Sequence, residues 1–260
     1  MRVSIIGRAQ TAQRTFSTAG AALLVAVLAA CGGGGGGDED PLIAQGRYTT
    51  GTGVTPAYTV LVVPSSAGAH QAWAVSSAGD RLAKLSLSAT NVVTGKRYDL
   101  SANALTPTEA VTGTATLAGP ASSASLSLPG LATLSTTATR LSRTDRLTET
   151  TTLAAISGTW SGSFDAGVRR ATWTIDGSGA LSGSSSFSNT GCTYTGSFAA
   201  RSDSPVFDVS FTQTCGAPTS TVTSFSGIAR RSSSSANLTV VAVSTDETTP
   251  WVSLFTAAAN

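Results

Sequence analysis

Few side chains in this 260-residue chain are suited to chemistry: one histidine, His70, and three cysteines, Cys31, Cys192 and Cys215. A Ser/His/Asp triad needs a base oriented by a carboxylate, with a nucleophile in reach. His70 lies in Ala67-Gly68-Ala69-His70-Gln71, which reads as a loop entering a strand, so a turn role is expected for it. The chain has no G-x-S-x-G elbow and no S-x-x-K motif. It has no C-x-x-C and no second histidine to hold a metal. Asp176-Gly177-Ser178-Gly179 lacks the spaced carboxylates and closing Glu of a calcium loop and reads as a hairpin turn. Neither a catalytic residue, nor a metal ligand, nor a cofactor is expected.

The cysteines instead point to an exported chain. Residues 1–30 carry Arg2, Arg8 and Arg14 and no acid, and Gly20 to Ala30 is a run of small apolar residues. A basic start, a short apolar stretch and small residues before a cut make a secretory signal peptide. Eleven apolar residues are too few to cross a bilayer, which takes about 20. In an oxidising compartment, Cys192 and Cys215 are expected to form a disulfide. The strands that would position them can be paired. If 192–201 and 206–215 form a hairpin around Asp203-Ser204, Phe198 faces Val209, Tyr194 faces Gln213, and Cys192 falls opposite Cys215. Directly opposed residues lie within disulfide reach. Such a bridge adds about 3 kcal/mol in the chain-entropy treatment.

Strand signals dominate the rest. Ala57 to Val63, Ala171 to Ile175 and Phe207 to Phe211 alternate or are β-branched, and similar runs recur between Gly, Ser, Pro and Asp. The spacing indicates an all-β barrel or sandwich. The halves echo each other. Gly46-Arg47-Tyr48 matches Gly158-Thr159-Trp160 at an offset of 112, and Gly68 matches Gly179 at 111. Tyr98-Asp99-Leu100-Ser101 matches Phe207-Asp208-Val209-Ser210 at 109, and Ala124 to Leu128 matches Ala236 to Val240 at 112. The expectation is two tandem, duplicated antiparallel up-and-down β-barrel domains of about eight strands. The boundaries read as a signal segment 1–30, a tether 31–42, domain 1 over 43–142, a polar linker 143–155 and domain 2 over 156–260.

Leu28-Ala29-Ala30-Cys31 resembles the bacterial lipobox, an aliphatic and two small residues before a cysteine. The resemblance implies that the Cys31 thiol is alkylated with diacylglycerol and that cleavage and acylation follow at its amino group. Six glycines and Asp38-Glu39-Asp40-Pro41 then form a flexible tether between lipid and domain. Such starts are similar to those of Gram-negative lipoproteins. Gly32, in place of the Asp that marks inner-membrane retention, implies the outer membrane. The glycine–x–aromatic starts at Gly46 and Gly158 resemble the first strand of lipocalin-like barrels and of the barrel lobes of transferrin-binding protein B. That likeness implies architecture only.

Composition narrows the partners. Removing the signal's three arginines from the 16 basic residues leaves 13 against 14 acidic ones, so no basic excess exists to hold nucleic acid. Trp73, Trp160, Trp173 and Trp251 are expected to fill barrel cores rather than line a cavity. Arg169-Arg170 and Arg230-Arg231 read as exposed pairs that keep the surface soluble, and Asp99 and Asp208 as equivalent structural residues of the two copies. Three functions stay open: a non-enzymatic envelope lipoprotein with an envelope-protein partner or a structural role, a calycin-type carrier of a small apolar ligand, and an enzyme or enzyme inhibitor.

Overall fold

The structure is a computed structural model that describes residues 43–66, 68–100, 109–131, 138–164, 169–186, 191–216, 220–232 and 236–258. The signal segment, Cys31 and the tether lie outside the described residues.

Two antiparallel sheets follow one another along the chain. The first takes β1 (Gly46–Thr50), β2 (Tyr58–Ser66), β3 (Ala69–Ser76), β4 (Arg81–Leu87) and β5 (Val92–Asp99). It continues with β6 (Glu109–Thr114), β7 (Thr116–Ala118), β8 (Ser125–Leu128) and β9 (Thr139–Asp145). The second takes β10 (Gly158–Phe164), β11 (Arg169–Ile175), β12 (Ala180–Ser186) and β13 (Cys192–Ala200). β14 (Phe207–Cys215), β15 (Thr221–Arg231), β16 (Asn237–Ser244) and β17 (Pro250–Ala257) complete it. β10 pairs with β17, so the second sheet closes as an eight-stranded up-and-down barrel. In the first sheet β1 pairs with β9, and the order ends at β6 on one side and β7 on the other. A single residue, Ala115, separates those two strands. β6 bonds to β5 and its continuation β7 bonds to β8, so one bent strand nearly closes this barrel and brings its count of staves to eight as well.

The period-2 pattern explains both interiors. In β13, Cys192, Tyr194 and Phe198 are buried while Thr193, Thr195 and Ser197 face outward. Barrel 1 is lined mainly by aliphatic and small residues such as Val60, Val62, Ala72, Leu85, Leu126 and Leu141. Barrel 2 is lined by rings: Trp160, Phe164, Trp173, Phe211, Trp251 and Phe255 among them. Room for those rings comes from glycines on the same inward rows. A Cβ at Gly196 would strike the Ser210 carbonyl and the Phe211 backbone, and one at Gly227 would strike the Val241 carbonyl and Ala242. Small beside large is how a tapered barrel fills its lumen.

Four of the expected equivalences fall in corresponding strands, with one correction. Tyr48 and Trp160 both point inward on the first strand, and Leu126 and Leu238 on the seventh. Gly68 and Gly179, both at positive φ, sit between second and third strands. Tyr98 and Phe207 share the fifth strand but not the face: Phe207 points into its own barrel, whereas Tyr98 points out toward the neighbouring one. Asp99 and Asp208 are accordingly not equivalent. The matching tetrapeptides align one residue out of phase, and in a strand that inverts the face.

A third apolar cluster joins the barrels. Val63, Trp73, Leu82 and Tyr98 on the outside of barrel 1 pack with Ile228, Val241 and Val243 on the outside of barrel 2. Full burial of such a residue contributes ~1.5–3 kcal/mol, so the two barrels are held together by a core of their own rather than by a linker alone. Charged and polar groups surround it. Lys84 and Lys96 each reach Glu247 at 3.0 Å, Arg201 donates to the Pro64 carbonyl, and Gln45 donates to the carbonyls of Leu147 and Asp203 at 2.8 and 2.7 Å.

Candidate functional site

Cys192 and Cys215 are bonded across β13 and β14, with Cα atoms 4.1 Å apart. The register is the expected one, with Tyr194 opposite Gln213 and Phe198 opposite Val209. His70 is the second residue of β3, half-buried opposite Pro64 and Leu87. Burial lowers its pKa, and no described carboxylate orients it. Asp176 makes the expected turn: its Oδ1 accepts the backbone N–H groups of Ser178 and Ala180 at 2.8 and 2.9 Å. The Ser178 hydroxyl, the largest influence, holds that carboxyl below its usual pKa. Among the described residues no three His, Cys, Asp or Glu side chains gather as a metal would need.

Trp160, Trp173 and Trp251 meet in the barrel 2 core, where Trp173 lies 5.9 Å from Trp251 and 4.6 Å from Phe255. Trp73 does not join them or the barrel 1 core. It faces outward into the contact between barrels, 5.8 Å beneath the Lys84 ammonium, with its indole N–H held by Gln71 at 2.8 Å. Arg230 also departs from its expected place. Ala229 points into barrel 2, so Arg230 points out, and there it is part-buried and bonded to Asp145 of barrel 1 at 2.6 Å.

These two displaced residues flank a cleft of about 890 Å³ between the barrels. Its barrel 1 wall is a cross-strand row. Asp145, Arg47, Leu61 and Trp73 lie side by side on β9, β1, β2 and β3. Its barrel 2 wall has two such rows, Ile228–Val241–Val252 and Arg230–Thr239–Leu254. Leu61, Val75 and Val252 are only partly buried, because here the apolar strip continues past the point where the barrels touch. Hydroxyls of Thr59, Ser163 and Ser232 stand among them. Opposing influences act on Arg230: burial lowers its pKa most, Asp145 raises it, the like charge of Arg47 lowers it again, and Glu149 raises it least. Its Nε has no hydrogen-bond partner among the described residues, and neither has the Arg47 guanidinium. A cleft of this size, with an apolar floor and a few placed polar groups, has the make-up of a small-molecule site.

Sequence reasoning did not assign this cleft. Its signal was present in Val60-Leu61-Val62-Val63 and Val240-Val241-Ala242-Val243, runs that are apolar on both parities. A strand with one wet face alternates; one buried on both faces does not. The chain matches no protein-family model, no curated protein and no solved structure.

Proposed function

We propose that this chain is a non-enzymatic, lipid-anchored lipoprotein of the cell envelope, held at the outer membrane through acylated Cys31, whose paired barrels serve as a binding module. The observation that carries the reading is Leu28-Ala29-Ala30-Cys31 at the end of the apolar run, followed by the hexaglycine tether. The barrel surfaces support it. Their strands turn Ser and Thr outward and rings or aliphatics inward, the reverse of a membrane-spanning barrel. Attachment is therefore assigned to acyl chains, of which two already suffice for stable anchoring. The binding surface is assigned to the cleft rather than to a lumen, because Trp173 and its neighbouring rings fill the middle of barrel 2.

The test is Cys31→Ser in the full chain, expressed in a Gram-negative host fed labelled palmitate. The unaltered chain is expected to take up label and to be cut before Cys31, and the variant to stay uncut and unlabelled. A variant that is processed normally and retained in the membrane overturns the reading.

A further inference from the structure

We infer that the cleft between the barrels binds a small amphiphile with an anionic oxyacid head, its head on Arg47 and its aliphatic body along Leu61, Val75 and Val252. This deepens the binding-module reading and rests on it. Two guanidiniums, Arg47 and Arg230, lie close enough to act on each other at one end of the cleft. Asp145 is taken up by Arg230. Glu149 acts on Arg230 as the weakest of the charges it feels. Arg47 is half-buried and has no partner among the described residues. A planar guanidinium whose neighbouring carboxylate is bonded elsewhere, set in a partly desolvated wall, is a ready receptor for a carboxylate or phosphate, which it can hold with two parallel hydrogen bonds.

The floor supplies the second half of the ligand's description. Leu61 is the cross-strand neighbour of Arg47, so the apolar strip begins directly beside the cationic group. It continues over Val75 and Val252 to Leu254, which is 51% exposed and one of the few large apolar side chains left open on the described surface. A cationic end beside an aliphatic floor excludes a cationic ligand by repulsion and gives a neutral one no use for Arg47. It matches a chain with one oxyanion. The volume, about 890 Å³, lies within the range of small-ligand sites.

The test titrates the full-length Cys31→Ser chain with sodium octanoate and with octyl phosphate by calorimetry. 1-Octanol and octyltrimethylammonium serve as the neutral and cationic arms. Both anions are expected to bind one per chain, and the cation not to bind. Arg47→Gln, at a half-buried position with no partner to orphan, is expected to weaken octanoate and octyl phosphate by about tenfold or more while leaving the melting temperature in place. Leu61→Ser is expected to weaken both anions and octanol alike. A preference for octanoate over octyl phosphate assigns a carboxylate source, the reverse a phosphate source, and either supports the site. Equal binding of cation and anion, an unchanged affinity in Arg47→Gln, or no heat with either anion overturns the inference. None of these results touches the anchoring of Cys31, which palmitate labelling reads separately.

Discussion

The two barrels share a count of eight staves, an up-and-down order and a glycine–x–aromatic start, yet each is held by different physics. Tyr48 donates to the Ala44 carbonyl at 2.8 Å, and Trp160 donates to the Ile156 carbonyl at 2.7 Å. The same first-strand ring thus caps the same end of each barrel through a residue four positions earlier. Beyond that point they diverge. Barrel 1 covers its ring with a buried cation: Arg143 of β9 stacks 5.3 Å from the Tyr48 ring and donates to its hydroxyl and to the carbonyls of Ala121 and Ile43. Barrel 2 puts Phe255, on β17, at the core-facing position of its last strand and ties β13 to β14 with a disulfide.

The difference teaches that strand order is the robust feature of this design and the means of closing it is not. Barrel 2 encloses many rings, and each pair of rings adds about 0.5–1.5 kcal/mol beyond its buried area. Barrel 1 has smaller side chains and an interrupted strand, β6 and β7, where barrel 2 has the unbroken β15, so polar bonds at its mouth contribute more of its definition. Changes aimed at one means of closure should therefore act on one barrel.

The largest effect is expected from removing the bridge. Cys192→Ala with Cys215→Ala reopens a loop of 23 residues and is expected to cost barrel 2 about 3 kcal/mol. Scanning calorimetry should show a lowered transition, and hydrogen exchange should locate the loss in β13 and β14 while β1 to β5 keep their protection. Equal loss of protection in both barrels would break the comparison. Next comes Arg143→Met, which keeps the stem but deletes the donors. Leaving the Ala121 and Ile43 carbonyls and the Tyr48 hydroxyl without that partner is expected to cost about 2 kcal/mol, this time in barrel 1. Burial already raises the Tyr48 pKa and the Arg143 bond opposes that rise, so the variant should titrate Tyr48 at still higher pH.

How much of this was legible follows from what each signal encodes. The hairpin register was fully readable, because two cysteines, two aromatic rows and one turn had to agree, and a slip would have broken all three. The strand order and the tandem arrangement were readable from recurrence. The out-of-phase match of Tyr98 with Phe207 was not, since Tyr-Asp-Leu-Ser and Phe-Asp-Val-Ser look alike whichever face they present. Trp73 and Arg230 were misplaced for a related reason: residue type suggests core or solvent, and neither category describes an outer face that meets a second barrel. The charge of the cleft lay beyond sequence reach, because Arg47, Asp145 and Arg230 converge only through pairing across three strands and two barrels.

The smallest expected effect probes the surface where the barrels meet, and its sign is unusual. Tyr98 is 1% exposed, and its hydroxyl has no hydrogen-bond partner among the described residues. The turn that packs near it carries Asp246 and Glu247. Burial first, then those two carboxylates, pushes the Tyr98 pKa up to about 12. A buried hydroxyl left unpaired costs about 1–3 kcal/mol against one that finds a partner. Tyr98→Phe keeps the ring and removes the group, so it is expected to stabilise the protein by roughly 1 kcal/mol, where most buried substitutions do the reverse. The pH dependence gives an independent reading. A group whose pKa is raised by folding leaves stability intact below its unfolded value, near 10 for tyrosine, and withdraws it as pH climbs toward the folded value. The unaltered protein should lose stability between about pH 10 and 12, and Tyr98→Phe should lose less over that interval. Urea unfolding at pH 7 and pH 11 measures both quantities. A destabilised variant at pH 7, or an unchanged alkaline slope, would mean that the Tyr98 hydroxyl has a bonding partner in solution and that the interface between the barrels is packed differently around it.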